Sequence, residues 1–250
     1  MTVDLSDVGD DWRRFGAKAV NLCTCLRSGL NVPRGVALPA TLVRDARRNG
    51  GVAFSRDEIA KLSEWLSSID TSIAVRSSEI VAPEDASTAA GVFRSARFVA
   101  AELDRALGEL EDLIFLNART SEERQDRLET TFFLQREVRL DLSGVAHVPS
   151  SDGDEHADLW IVEGDLDDVT AGTRPGHHFV LPNVLRTAGF DEYWADEEAN
   201  SFAERVGLWD GLDQIGDRLK ELHGLFGPCV VEWGVENGEF WVLQAQRSLH

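Results

Sequence analysis

The stretch Cys229–Ser248 constrains this chain most, because two β-rich runs are joined there by a single short turn signal. The runs are Cys229–Val235 and Glu239–Ala245, and the signal is Asn237-Gly238. Two turns fit these residues, with different consequences. A two-residue Asn-Gly loop pairs Glu232 with Leu243 and sends Gln244 to the other face of the sheet. A three-residue loop, Glu236-Asn237-Gly238 with the glycine left-handed, pairs Glu232 with Val242. Glu232 and Gln244 then share a face diagonally. The second register is preferred, since it gathers Val231, Trp233, Trp241 and Leu243 on an apolar face and the polar groups on the other. A carboxylate and an amide oxygen side by side are hard ligands suited to Mg²⁺ on nucleotide phosphates. The plainer reading is an edge hairpin with two solvated polar residues.

The chain of 250 residues is long enough for one large domain or two lobes with a real core. Its formal net charge of −19 argues against a nucleic-acid partner, which needs a basic footprint, and against anionic membrane surfaces. No apolar run approaches a membrane span, and Met1-Thr-Val-Asp-Leu-Ser lacks a signal-peptide pattern, so a cytoplasmic protein is expected. Cys23, Cys25 and Cys229 make an odd count with no disulfide framework; buried thiols are expected. Lysine occurs only at 18, 61 and 220, which singles out Lys18.

Along the chain, Gly16–Gly29 reads as a helix, with Ala19, Leu22 and Leu26 at helical spacing and Gly29 as its stop. Asn31-Val-Pro-Arg-Gly35 is a turn into a short strand, and 41–49 and 56–69 read as helices. In the latter, Ile59, Leu62, Trp65 and Leu66 form one stripe. Ser72–Ser78 is a buried strand ending in Arg76 and two hydroxyls. Open sheets place ligand contacts at such a mouth, and guanidinium suits phosphate. The alternative for Arg76 is an ion pair with Glu79, Glu84 or Asp85. A strand at 92–96 and helices at 100–116 and 121–128 follow. Strands then run through 131–140, 143–147, 159–163 and 178–181, before two helices at 196–206 and 212–225. The sum is an α+β chain with mixed and antiparallel sheets. Its expected seam lies near 117–129, dividing an N-terminal lobe, 1–117, from a C-terminal one, 118–250.

In this order the segments resemble the nucleotide-binding region of the phosphoenolpyruvate-utilising dikinases. The matching pieces are Gly16-Ala-Lys18-Ala-Val-Asn21-Leu with Gly29-Leu-Asn-Val-Pro-Arg-Gly35, then Ala74-Val-Arg76-Ser-Ser78 and Ser87-Thr-Ala-Ala-Gly91. Leu134-Gln135-Arg-Glu-Val138, Ser143-Gly-Val-Ala146, Glu232-Trp233 and Leu243-Gln244-Ala245 complete the series. The resemblance implies a two-lobed ATP-grasp fold that binds ATP and Mg²⁺. It implies that Lys18 and Arg76 contact phosphates, that Gln135 lies near the adenine, and that Glu232 and Gln244 ligate the metal. The family's arginine after the closing glutamine is here Gln246, with Arg247 one position later as a candidate replacement acting with Arg76 on the transferring phosphoryl group. The family's Gly-Leu-Gly-Glu segment reads Asp165-Leu-Asp-Asp168, and its acidic residue before the glutamate is Val230. The family's phosphohistidine domain has no counterpart motif around any of the six histidines, so a separate phosphohistidine-domain protein is an expected partner. Three functions follow: a phosphotransferase component, a catalytically degenerate nucleotide- or partner-binding module, and an ATP-grasp ligase.

Overall fold

A computed structural model describes residues 1–82, 96–99, 103–123, 129–149, 156–164, 176–182, 184–185 and 193–248. The chain is α+β, and its contacts divide it into two compact units. One comprises Met1–Arg27 with Pro33–Val138, the other Ser28–Val32 with Arg139–His250. The seam therefore falls between Val138 and Arg139 rather than within 117–129. Its cause is the strand Thr130–Arg136, expected in the second lobe, whose pairing partners both belong to the first unit.

The first unit is built on a five-stranded sheet. Its strands are β1 (Val3–Asp4), β2 (Gly35–Ala37), β3 (Ser72–Glu79), β4 (Ala96–Val99) and β5 (Thr130–Arg136), in the order β1-β2-β5-β3-β4. All its described pairings are antiparallel. Residues alternate across the pleat. Val36, Ile73, Val75, Phe132 and Leu134 meet the apolar sides of α3 (Ala40–Asn49), α4 (Arg56–Ser67) and α5 (Leu103–Glu123). Ser55 caps α4 in a reciprocal capping box with Glu58. Leu62, Trp65 and Leu66 of α4 are buried, whereas Ile59, expected on the same stripe, is 41% exposed. The helix expected over 121–128 is represented by the last residues of α5, and 124–128 lie outside the described residues. Before the sheet core come α1 (Trp12–Phe15) and α2 (Ala17–Arg27), the latter packing on β3.

The second unit carries a six-stranded sheet, again antiparallel at its described pairings. Its strands are β6 (Leu142–Val148), β7 (Ala157–Glu163), β8 (His177–Leu181), β9 (Trp194–Ala195), β10 (Cys229–Glu236) and β11 (Glu239–Arg247). They run in the order β11-β10-β6-β7-β8-β9. Helices α6 (Glu197–Val206) and α7 (Trp209–Phe226) pack on one face. Their Phe202, Leu212, Ile215, Leu219 and Leu222 are buried, as are the strand residues Ala146, Leu159, Ile161, Phe179, Val231 and Trp233. On the edge strand, the Val242 N–H donates to the Asn31 carbonyl at 2.8 Å. All three cysteines are unbridged thiols and buried, and burial pushes the Cys229 thiol up to about 12, which leaves it inert at neutral pH.

Candidate functional site

The closing hairpin turns through two residues, Asn237 (φ 53°) and Gly238 (φ 78°), with Glu236 opposite Glu239. Positive φ at both central residues is the geometry Asn-Gly favours, and it corrects the expected three-residue loop. With that turn alone, Glu232 would face Leu243. Instead the register shifts between Glu232 and Trp233: Trp233 pairs with Val242 but Glu232 pairs with Gln244. Leu243 is the extra residue of a β-bulge, and the strand beyond it changes face. Gln244 thus stands directly across from Glu232 on the sheet face away from α6 and α7. The shared face was expected; the bulge that produces it was not.

The same register places the neighbouring residues. Gln246 pairs with Val230 and lies on the Glu232 face, 6% exposed. Arg247 pairs with Cys229 and lies on the helix-covered face with Val231 and Ala245. Its buried Nε has no hydrogen-bond partner among the described residues. The bulge precedes both Gln244 and Arg247, so it cannot bring the two together. The expected pairing of Arg247 with the Glu232 site is therefore not found.

A further group on this face carries no dikinase motif. In register order, the row through Gln244 and Glu232 continues to Val145, Trp160 and His178, and the next row through Val230 to His147 and Asp158. Trp160 stacks on His178 with centroids 5.0 Å apart and meets His147 edge-on at 5.1 Å. His178 Nε2 and Asp158 Oδ1 are hydrogen-bonded at 2.7 Å. The adjacent His177 points the other way and stacks on Phe202 at 4.1 Å, as strand alternation requires. The readable signal was Asp158-x-Trp160 alternating with buried Leu159 and Ile161, which puts both polar residues on one face. Among the described residues, no three His, Cys, Asp or Glu side chains form a metal-holding group.

In the first unit, Arg76 pairs with Phe133 in β5, and Ser78 pairs with Thr131. Both stand on the face turned from the helical core. There the Ala19 N–H, one of the unsatisfied donors of the α2 N-terminus, donates to Ser78 Oγ at 3.2 Å. Gly16, at φ 78°, allows this approach, since a Cβ on it would lie 2.2 Å from Ser78 Oγ and 2.7 Å from the Ser78 carbonyl carbon. Lys18 follows in the first turn of α2, half-buried. The expected partner of Arg76 included Glu79, but Glu79 lies within electrostatic reach of Lys18. Burial raises the Glu79 carboxyl above the usual carboxylate value, while the Lys18 charge acts to lower it. Glu84, Asp85 and the loop Ser87–Gly91 lie outside the described residues, as does Asp165–Asp168.

Gln135 is 2% exposed in the middle of the five-stranded sheet, between Gly35 and Ala74, and its Nε2 donates to the Pro33 carbonyl at 3.4 Å. Its amide nitrogen is thus engaged inside the first unit.

No family model and no curated protein matches the sequence. Among solved structures, the chain is similar to Cdc123 from Schizosaccharomyces pombe, with 12% identity and a TM-score of 0.46 over 92% of this chain and 82% of that one. It is also similar to the macrocyclase MdnC bound with precursor peptide MdnA from Microcystis aeruginosa MRC, with 12% identity and a TM-score of 0.39. That match covers 91% of this chain and 51% of MdnC.

Proposed function

We propose that this chain is an ATP-grasp module that binds Mg·ATP and directs one of its phosphoryl groups to an acceptor. The observation that carries the reading is the bulge at Leu243, which sets the Glu232 carboxylate directly across from the Gln244 amide on one sheet face. A bulge that re-aims a side chain is a device found beside functional sites. One anionic and one neutral oxygen donor suit magnesium, which keeps the rest of its shell for water and phosphate. In this reading magnesium supplies charge neutralisation at the phosphates, and the protein supplies the seat.

Lys18 and Arg76 are the phosphate cations of the reading. Lys18 brings a point charge beside the α2 N-terminus, where backbone N–H groups and the helix dipole also favour an anion. Arg76 brings a planar fork of donors suited to phosphate oxygens. Arg247 is left out, because it stands on the other face of its sheet from Glu232. With Gln246 at the family arginine's position, the charge acting on the transferring group rests on Lys18 and Arg76. The acceptor is a small substrate or a separate phosphohistidine-domain protein.

The second reading is an ATP-grasp ligase, in which a carboxylate is phosphorylated and then attacked by a nucleophile. The hydrogen-bonded His178–Asp158 pair favours it, since an imidazole held by a carboxylate can take the nucleophile's proton. On the same face, Asp158 stands two strands and His178 three strands from Glu232, the latter roughly 14 Å by strand spacing. Nucleotide products separate the readings. Dikinase chemistry releases AMP and phosphate, whereas a kinase or ligase releases ADP. An absence of heat on titration with millimolar Mg·ATP removes them all and leaves a degenerate module that acts as a scaffold.

A further inference from the structure

Beyond the Glu232–Gln244 pair, the same face of the six-stranded sheet carries an acidic and aromatic row that the metal seat does not use. It runs from Asp158 on β7 through Val180 on β8 to Trp194 on β9. Two strand spacings put Asp158 and Trp194 about 10 Å apart, with the short Val180 side chain as the floor between them. His178, two residues before Val180, closes one end of this gap, its ring stacked on Trp160 and its Nε2 hydrogen-bonded to Asp158 Oδ1. Of the seven tryptophans in the chain only Trp194 is exposed, at 64%. An indole face attracts a cation more strongly than any other side-chain ring. Asp158 also keeps acceptor capacity, because His156 Nε2 stands 3.8 Å from Oδ2, beyond hydrogen-bond reach. The described strand positions on this face carry no lysine or arginine to compete for either wall. The titratable groups around Asp158 are the imidazoles of His147, His156 and His178.

We propose that this gap binds a small organic cation, a guanidinium group that stacks on the Trp194 indole and donates to Asp158 Oδ2. Guanidinium suits both walls. Its planar face is weakly hydrated and lies well on an aromatic ring, and its fork of N–H groups matches a carboxylate. A quaternary ammonium ion satisfies the indole but offers the carboxylate no donor. The site is one row deep and three strands wide, the footprint of one end of a small molecule rather than of a polypeptide interface. Asp158 lies two strands from Glu232, so the site is placed to hold the cationic end of an acceptor near the metal seat. That role rests on the nucleotide reading given above, whereas the binding itself does not.

Tryptophan reports the binding directly. The full-length protein is labelled with 5-fluorotryptophan, and the Trp194 fluorine signal is assigned by its loss in Trp194→Phe. Methylguanidinium chloride is titrated beside its neutral isostere methylurea and beside tetramethylammonium chloride, with sodium chloride holding the ionic strength constant. Methylguanidinium should shift the Trp194 signal saturably, and bind at least about tenfold more tightly than methylurea, the size of one charge-assisted contact. Tetramethylammonium should fall between the two. Asp158→Asn, whose amide oxygen still accepts from His178, should bring methylguanidinium down to the level of tetramethylammonium. Methylurea that binds as tightly as methylguanidinium shows an apolar surface only and overturns the proposal, as does unchanged affinity in Asp158→Asn. Small unsaturated shifts of all seven signals overturn it too, since they report a general attraction of cations to a chain of net charge −19. Calorimetry with Mg·ATP on the same wild-type protein separates this site from the nucleotide reading. Saturable methylguanidinium binding without Mg·ATP binding supports the cation site and removes only its role beside the metal seat.

Discussion

The two sheets invite comparison because each has one face under helices and polar residues of interest away from that core. In the five-stranded sheet those residues are enclosed. Ser78, Thr131 and Gln135 are all buried, and each bonds to a backbone group elsewhere in the unit. In the six-stranded sheet they are accessible: Glu232, Gln244, Asp158 and Trp160 are half-buried, His147 and His178 are exposed, and Trp194 is 64% exposed. The charge differs too. The first unit offers Lys18 and Arg76, while the described strand positions on the Glu232 face include no lysine or arginine. A polyphosphate needs cations and a metal needs oxygens, so one unit has the character of an anion cradle and the other of a cation seat. The difference also predicts that the first unit tolerates substitution least at its polar residues, and the second most.

Glycine tests that contrast most severely. Gly16→Ala forces a side chain into Ser78 at positive φ, and should cost about 2–5 kcal/mol of stability in urea unfolding, combining left-handed strain with overpacking. Gly238→Ala has the same positive φ with nothing within 4 Å of its added carbon, so only the backbone strain of about 1–2 kcal/mol remains. Equal costs would mean that the clamp between α2 and β3 is not the tight contact described.

Arginine gives the next contrast. Arg76→Ala should weaken Mg·ATP binding about tenfold to a hundredfold, as loss of a charge-assisted phosphate contact does. Arg247→Ala should leave affinity within about twofold, because its side chain stands on the helix-covered face. Calorimetry on the two variants decides this, and the reverse ranking would return Arg247 to the site.

The smallest effect is one of sign. A carboxyl raised above its ordinary value of 4.5 favours the folded state below that value, and the advantage is lost as pH rises through the folded value. Glu79→Gln should therefore melt higher than wild type at neutral pH, with the gap closing in acid below about pH 4.5. A variant less stable than wild type at neutral pH would show that the Lys18 attraction outweighs the cost of burial.

The hairpin shows how much of the site was legible. Strand alternation and the Asn-Gly pair located both strands, and the polar-versus-apolar sorting put Glu232 with Gln244. The bulge was hidden because its mark is two consecutive buried apolar residues, Val242 and Leu243, which resemble ordinary core. The unit boundary was missed for a different reason. β5 is Thr-Thr-Phe-Phe-Leu-Gln-Arg, apolar enough for any buried strand, and its partners lie far away at 35–37 and 72–79. No local pattern encodes that pairing. Glu79 was weighed as a partner for Arg76 because the two are close in sequence. Its electrostatic neighbour Lys18 is sixty-one residues distant in the chain.

The metal seat is tested most directly by titrating Mg·ATP and metal-free ATP into wild type and Glu232→Ala by calorimetry. Wild type should bind Mg·ATP at least tenfold more tightly than metal-free ATP, and the variant should bind both alike, at the metal-free level. A variant that keeps the full magnesium advantage would contradict the assignment of Glu232 and, with it, the functional meaning given to the bulge at Leu243.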